Sequence, residues 1–275
     1  MNPWLETIGV ILVAVLGILL GRAFSGLRKR WWALGYFIPA ALIAMLIVGG
    51  WPYSLAFVPP FFWIATGRIK FVILSLAITM GLTTPLSRLP RRCEKLIICI
   101  LMTVIVAWFS VAPFLVPALI RNKLASLETR VNPNGICFQS TEYTCGPAAA
   151  VTALRKLGLP AEEGEIAVLS HSSPVTGTLP VSLYKALQNR YAAEGLKCQY
   201  RHFDSLAQLR DAGVTLAVVR DAFLSDHCVA VLEVSDWMVV LADPVLGRQL
   251  MSHEQFEKIW RFSGIVLERG ASRSI

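Results

Sequence analysis

Residues 139–150 read QSTEYTCGPAAA, a polar stretch that runs into Cys145, a Gly-Pro pair and three alanines. Continued to Gly158, the segment has the marks of a helix. Thr144 is a candidate cap, Pro147 suits the first turn and Gly158 can end it. Ala148, Val151, Leu154 and Leu157 supply apolar residues at helical spacing. Cys145 therefore stands where a helix begins, and the free N–H groups and positive dipole end there favour a thiolate. Cysteine is also a common small buried residue. Position alone does not separate a structural thiol from a nucleophile; its companions do.

A nucleophilic thiol needs a base, a group that orients the base, and donors for the developing oxyanion. Gln139 lies six residues before Cys145 on the entering loop, where its amide can donate beside the Cys145 N–H. His227 opens the alternating run HCVAVLEVS (227–235), and Asp243 sits near the end of WMVVLADP (237–244). A tight turn near Asp236 makes the two runs a hairpin, whose ends meet at one rim of a sheet. His171, His202 and His253 have no matching partner and read as surface or satisfied polar residues. Cys137, Cys198 and Cys228 lack C-x-x-C spacing, so neither a metal site nor a cofactor is expected. In an oxidising compartment one disulfide among these three is open.

The rest of the C-terminal half alternates less simply. Helices are expected at 161–170, 181–195, 205–213 and 252–261, and strands at 197–203, 214–220 and 264–268, with a loop at 174–180. Helices first and an antiparallel sheet after make an α+β arrangement.

These pieces resemble the papain-like fold. More narrowly, they resemble the double-glycine leader peptidases of bacteriocin exporters, family 39 of the cysteine peptidases. The resemblance rests on QSTEYTCGPA, HCVAVL, LADPVLG and the downstream SHEQFEKIW, and covers residues 131–268. It implies a nucleophile at Cys145, a general base at His227, an orienting acid at Asp243 and an oxyanion donor at Gln139. It also implies a peptide or protein substrate and leaves room for a separate transporter or secretion partner. Exporter-type members carry an ATPase; here no G-x-x-x-x-G-K-[ST] phosphate loop is present, so ATP hydrolysis is not expected.

The first 120 residues are of another kind. The chain of 275 residues is 55% hydrophobic and 16% charged, with net charge +8. Residues 1–120 hold ten basic and two acidic side chains, so the whole excess lies there, and 121–275 is balanced. A basic stripe for nucleic acid would fall on the other half, so nucleic acid is excluded as a partner. Four apolar runs, near 5–21, 31–50, 69–87 and 96–119, approach the roughly 20 residues that span a bilayer. The stretch 51–66, with Pro59-Pro60 and many aromatics, reads as interfacial or re-entrant. Trp and Tyr near 31, 51 and 63 read as interfacial anchors. Met1–Thr7 has no Lys or Arg, unlike a secretory signal peptide.

With four spans, loops 22–30 and 87–95 share one side and hold eight basic residues. The other side gets five: Arg68, Lys70, Arg121, Lys123 and Arg130. This bias places the C-terminal domain outside the cytoplasm of a bacterial-type plasma membrane. A fifth span at 51–66 would move it inside and leave the Arg88–Lys95 cluster outside. The expected organisation is a membrane region at 1–120, a polar linker at 121–130, a papain-like domain at 131–268 and a tail at 269–275. The expected function is a membrane-anchored thiol peptidase acting through a thioester. The alternatives are a catalytically silent peptide-binding domain of the same fold and a papain-like acyltransferase or amidase.

Overall fold

The computed structural model describes residues 3–27, 32–50, 68–222 and 225–270. They form two compact units, Met1–Leu119 and Ile120–Ile275.

The first unit is helical: α1 (Pro3–Ser25), α2 (Leu34–Gly50), α3 (Ile69–Thr83), α4 (Arg92–Val106), a π-helical turn (Ala107–Val111) and α5 (Ala112–Leu119). Four spans were expected, the third of them short without its flanks. Among the described residues two helical stretches, Trp4–Ser25 and Arg92–Leu119, are long and apolar enough to cross a membrane. Leu34–Val48 and Ile69–Thr83 are shorter. Fifteen residues of helix rise only about 23 Å against a hydrocarbon core of about 30 Å. The chain turns at Thr84–Pro85 after α3, and α2 ends at the Gly49–Gly50 pair. The segment expected to be interfacial, 51–66, lies outside the described residues.

The direction of each helix can be read from its neighbours. Glu6 pairs with Arg68 and Ser25 with Ser87, both 62 residues apart. Gly17 faces Thr79 and Gly21 faces Thr83, at the same offset. A constant offset means that α1 and the α3 segment run parallel. A Cβ on Gly17 would lie 2.0 Å from Thr79 Oγ1, and one on Gly21 2.8 Å from Thr83 Cβ. The G-x-x-x-G spacing thus lets two backbones approach as closely as small residues allow in membrane bundles.

Gly35 lies against Thr84, and Pro39 against Gly81, so α2 runs the other way. Thr83 meets Met102 and Phe71 meets Phe114, so the α4–α5 stretch also runs against α3. Arg68 lies over the Phe114 ring. The starts of α1 and α3 and the end of α5 therefore share one end of the bundle.

The second unit opens with α6 (Arg121–Ala125), in the segment expected to be a linker. Leu124 is buried, and the α6 carbonyls lie so close to Gly164 that a Cβ there would be 2.7 Å from Leu124 O. Two short strands follow, β1 (Arg130–Val131) and β2 (Cys137–Phe138), paired with each other. Then come α7 (Cys145–Lys156), α8 (Glu163–Leu169) and α9 (Pro180–Tyr191). The remainder is β3 (Leu196–His202), α10 (Leu206–Asp211), β4 (Thr215–Ala222), β5 (Ser225–Val234), β6 (Met238–Asp243), β7 (Gly247–Ser252), α11 (His253–Ile259) and β8 (Trp260–Arg269).

The six long strands form one antiparallel sheet in the order β3-β8-β4-β5-β6-β7. Alternation along each strand sends neighbours to opposite faces. Leu216, Ala230, Ala242 and Ile265 share a core with α7, α8 and α9. Ala217, Val229, Val231, Leu241 and Val266 share another with Phe203, Leu209, Phe256 and Trp260. The α+β class expected from the sequence is the observed one. Ala148, Ala149 and Ala150, fully buried, make α7 slim enough to lie close over Ala230 and Ala242. Strand β7 was not expected. Its residues GRQLMS are half polar and carry no run of β-branched side chains.

Candidate active site

Cys145 is the first residue of α7. Thr144 does not cap that helix as expected. Its hydroxyl turns back to Thr141, accepting from the Thr141 N–H at 3.1 Å and donating to the Thr141 carbonyl. The side chain that would have covered the first N–H groups of α7 is thus engaged elsewhere. On the other flank, Thr178 Oγ1 donates to the Tyr143 carbonyl at 3.1 Å and is bonded to Ser172 Oγ at 2.6 Å. A Cβ at position 146 would lie 3.1 Å from Thr178 Cγ2 and 3.2 Å from Leu183, so a glycine there lets this loop close on the helix start.

Ala230 pairs with Ala242 across β5 and β6. Continuing that ladder puts Asp243 opposite Val229, and His227 diagonally across on the same face, within reach of long side chains. The contact is made: His227 Nε2 lies 3.1 Å from Asp243 Oδ1. Both side chains are mostly buried, 15% and 13% exposed. Cys145 acts on the same ring and raises the His227 pKa. With Nε2 turned to the carboxylate, Nδ1 is the nitrogen left for sulfur. Asp243 Oδ1 accepts two backbone donors as well, from Val245 at 2.7 Å and Leu246 at 3.2 Å.

The electrostatics follow from this chain of partners. Burial opposes the imidazolium of His227. The hydrogen bonds to Asp243 and Cys145, and the charges of both, outweigh it and push the pKa up to about 10. For Asp243 burial disfavours the carboxylate, but the His227 bond and the two backbone donors prevail and hold it below the usual range. Cys228, next to His227, is pushed far up, first by burial and then by the charges of Cys145 and Asp243. Cys137 and Cys198 are pushed up to about 12, mainly by burial. All six cysteines are free thiols, so the disulfide left open by the sequence is absent.

Gln139 follows β2 directly. Its N–H donates to the Pro244 carbonyl at 3.0 Å, in the turn that carries Asp243, and its own carbonyl accepts from Arg130 at 3.1 Å. Phe138 packs on Gly247, where a Cβ would lie 3.5 Å from the ring. The loop that enters α7 is therefore stitched to the rim of the sheet. Gln139 Oε1 is buried and without a hydrogen-bond partner among the described residues.

His227 and Asp243 are joined through their side chains, Cys145 acts on the His227 ring, and Gln139 is tied to the Asp243 turn through its backbone. None of the other histidines joins this chain of contacts; His253, for example, bonds to the Ser235 carbonyl at 2.9 Å. Among the described residues no group of His, Cys, Asp or Glu is arranged to hold a metal ion. Sequence reasoning missed Pro244, Thr178 and Glu163 as supports. The Asp-Pro and Cys-Gly-Pro pairs were the only signals pointing to the first two.

A carboxylate-bound histidine thus stands at the rim of the sheet, at the ends of β5 and β6, with a cysteine at the start of α7 acting on it. The Peptidase C39 family matches residues 134–272, half of the chain, and the chain belongs to that family. An uncharacterized protein of Methanothermobacter thermautotrophicus is 30% identical over 143 residues, 52% of this chain and 94% of that one. One from Methanothermobacter marburgensis is 31% identical over 134 residues, 49% and 88% of the two chains. Among solved structures, the peptidase domain of Streptococcus ComA, a bi-functional ABC transporter in a quorum-sensing pathway, is 20% identical. It covers 48% of this chain and 96% of its own, with TM-score 0.42. A double-glycine-motif protease from an AMS/PCAT transporter, in complex with its leader peptide, is 15% identical over 53% and 96%, also with TM-score 0.42.

The raised pKa of His227 has a consequence for folding. A pKa above the unfolded value adds stability in full below about pH 6.5. That contribution shrinks as pH rises and is gone near pH 10. The thermal midpoint of the wild type should exceed that of His227→Gln most at about pH 6, and the gap should close towards pH 10. A gap that widens with pH would show that the imidazolium is not held by the fold.

Proposed function

We propose that the second unit is a cysteine peptidase working through an acyl-enzyme thioester, and that the first unit anchors it in a membrane. The observation that carries the reading is the His227 ring, hydrogen-bonded to Asp243 and held protonated by the influence of both Asp243 and Cys145.

In this mechanism the Cys145 thiolate attacks the scissile carbonyl, with His227 as imidazolium. The carbonyl electrons move to oxygen, which the Cys145 N–H and the Gln139 amide receive as donors. Collapse of this intermediate breaks the C–N bond, and the His227 proton goes to the leaving amine. Water then gives a proton to His227 and its oxygen to the thioester, which releases the acid and returns the thiolate–imidazolium pair. Asp243 keeps the ring oriented throughout and favours its protonated form before acylation and after hydrolysis. Peptide or protein is the substrate class; no ATP step and no cofactor enter.

Four crossings are the arrangement proposed for the first unit, with the two shorter helices packed inside the frame of α1 and α4–α5. The helix directions support it. The end of α2 and the start of α3 lie at one end of the bundle, so the chain leaves at Leu119 on the side of its N-terminus. The basic residues Arg88, Arg91, Arg92 and Lys95 follow α3 at the other end. Basic loops face the cytoplasm, so the catalytic unit works on the opposite side of the membrane and takes substrates there.

Gln139→Ala should lower kcat by about a hundred- to a thousandfold with little change in KM, since its donor acts only on the oxyanion. His227→Ala should in addition slow alkylation of Cys145, and Cys145→Ala should abolish turnover. Turnover of Gln139→Ala at the wild-type rate would remove the oxyanion role. A separate assay concerns sidedness: protease added to intact spheroplasts should cut within residues 121–275. Protection until lysis would put the catalytic unit in the cytoplasm.

A further inference from the structure

Glu163 is fully buried at the start of α8, and both its carboxylate oxygens are engaged by one residue. Oε1 accepts from the Ser140 N–H at 2.8 Å, and Oε2 from the Ser140 hydroxyl at 2.7 Å. The Glu163 N–H in turn donates to Thr129 Oγ1 at 2.9 Å. Burying a carboxylate is costly unless hydrogen bonds compensate it. A hydrophobic side chain would close the space under α8 more cheaply, so this carboxylate points to a task.

Its position names the task. Ser140 is the residue after Gln139. The peptide groups around Gln139 are held at three points: its N–H by Pro244, its carbonyl by Arg130, and the next N–H by Glu163. The first point is set by the Asp243 turn, and Arg130 is exposed. Glu163 is the buried point of the three. A glutamine side chain has three rotatable bonds, so an amide can be aimed only if its backbone is fixed. An ångström of misplacement at a reacting centre costs about a hundredfold in rate. We infer that Glu163 is a positioning residue that fixes the Gln139 loop through Ser140, so that the Gln139 amide meets the oxyanion. The inference rests on the oxyanion role proposed above for Gln139.

The test uses the full-length protein in detergent and compares two reactions of Cys145, with the Cys145→Ala background subtracted. In the first, p-nitrophenyl acetate acylates the sulfur: the S–C bond forms, the aryl ester bond breaks and p-nitrophenolate leaves through a tetrahedral oxyanion. In the second, iodoacetamide alkylates the sulfur by displacement of iodide, with no oxyanion. Glu163→Ala should slow acylation about ten- to a hundredfold and leave alkylation within about twofold. In a Gln139→Ala background the same change should have no further effect on acylation, because the two residues act as one unit. Glu163→Gln should restore most of the rate, since its amide can still accept from the Ser140 N–H and can donate to the Ser140 hydroxyl.

Several results would overturn the inference: unchanged acylation in Glu163→Ala, an equal loss of alkylation, the same loss with Gln139 already removed, or failure of Glu163→Gln to recover. Two outcomes separate the levels. If Gln139→Ala acylates normally, the oxyanion reading itself falls. If Gln139→Ala is slow while Glu163→Ala is normal, only the positioning role falls.

Discussion

The imidazole of His227 is the one group on which the rest of the site depends. It bonds to the Asp243 carboxylate and is raised in pKa by Cys145 as well, and those two partners belong to different parts of the fold. Asp243 ends β6, and Cys145 starts α7. The ring can bridge them only because α7 lies close over the sheet, which its buried alanines permit. The turn after Asp243 then serves twice. It donates two N–H groups to the carboxylate, and its Pro244 carbonyl anchors Gln139. Hydrogen-bonded groups in a poorly hydrated site reinforce one another. The same cluster therefore both holds the rim together and stabilises the charge on which the proposed chemistry relies.

The first unit solves a different physical problem. Its helices are apolar on most sides, and in the membrane proposed for them burial of apolar area would do little to order them. Close approach does more. Gly17 and Gly21 let α1 meet the Thr79–Thr83 turn of α3, and the Glu6–Arg68 pair locks the register at the end where α1 and α3 begin. Parallel packing of α1 and α3 requires α2 to return between them, which leaves Leu119 on the side of the N-terminus. The direction in which the helices run thus bears on the sidedness proposed for the second unit.

Much of the second unit was legible in the sequence because its elements obey simple periodicities. The 3.6-residue spacing of Ala148, Val151 and Leu154 marked α7, and alternation in 227–235 and 237–244 marked the hairpin that brings His227 and Asp243 together. The six-residue interval from Gln139 to Cys145 carried the oxyanion reading. What was not legible depends on contacts between distant segments. Strand β7 is set by pairing with β6 and not by its own composition. Thr144 looks like a cap locally, but its hydroxyl finds Thr141. The buried partnership of Glu163 with Ser140, 23 residues away, leaves no local trace. In the first unit, the G-x-x-x-G spacing of Gly17 and Gly21 was present in the sequence, and only the facing helix gave it meaning.

The central claim is that His227 is held as an imidazolium between Cys145 and Asp243. The most direct measurement is the ring nitrogen chemical shifts of ¹⁵N-labelled histidine in the full-length protein in micelles, with His227 assigned by comparison with His227→Gln. At pH 8 both ring nitrogens of His227 should carry protons, with titration near pH 10. Cys145→Ala should move that titration down towards the ordinary histidine range. A neutral His227 ring in the wild type at pH 8 would contradict the account.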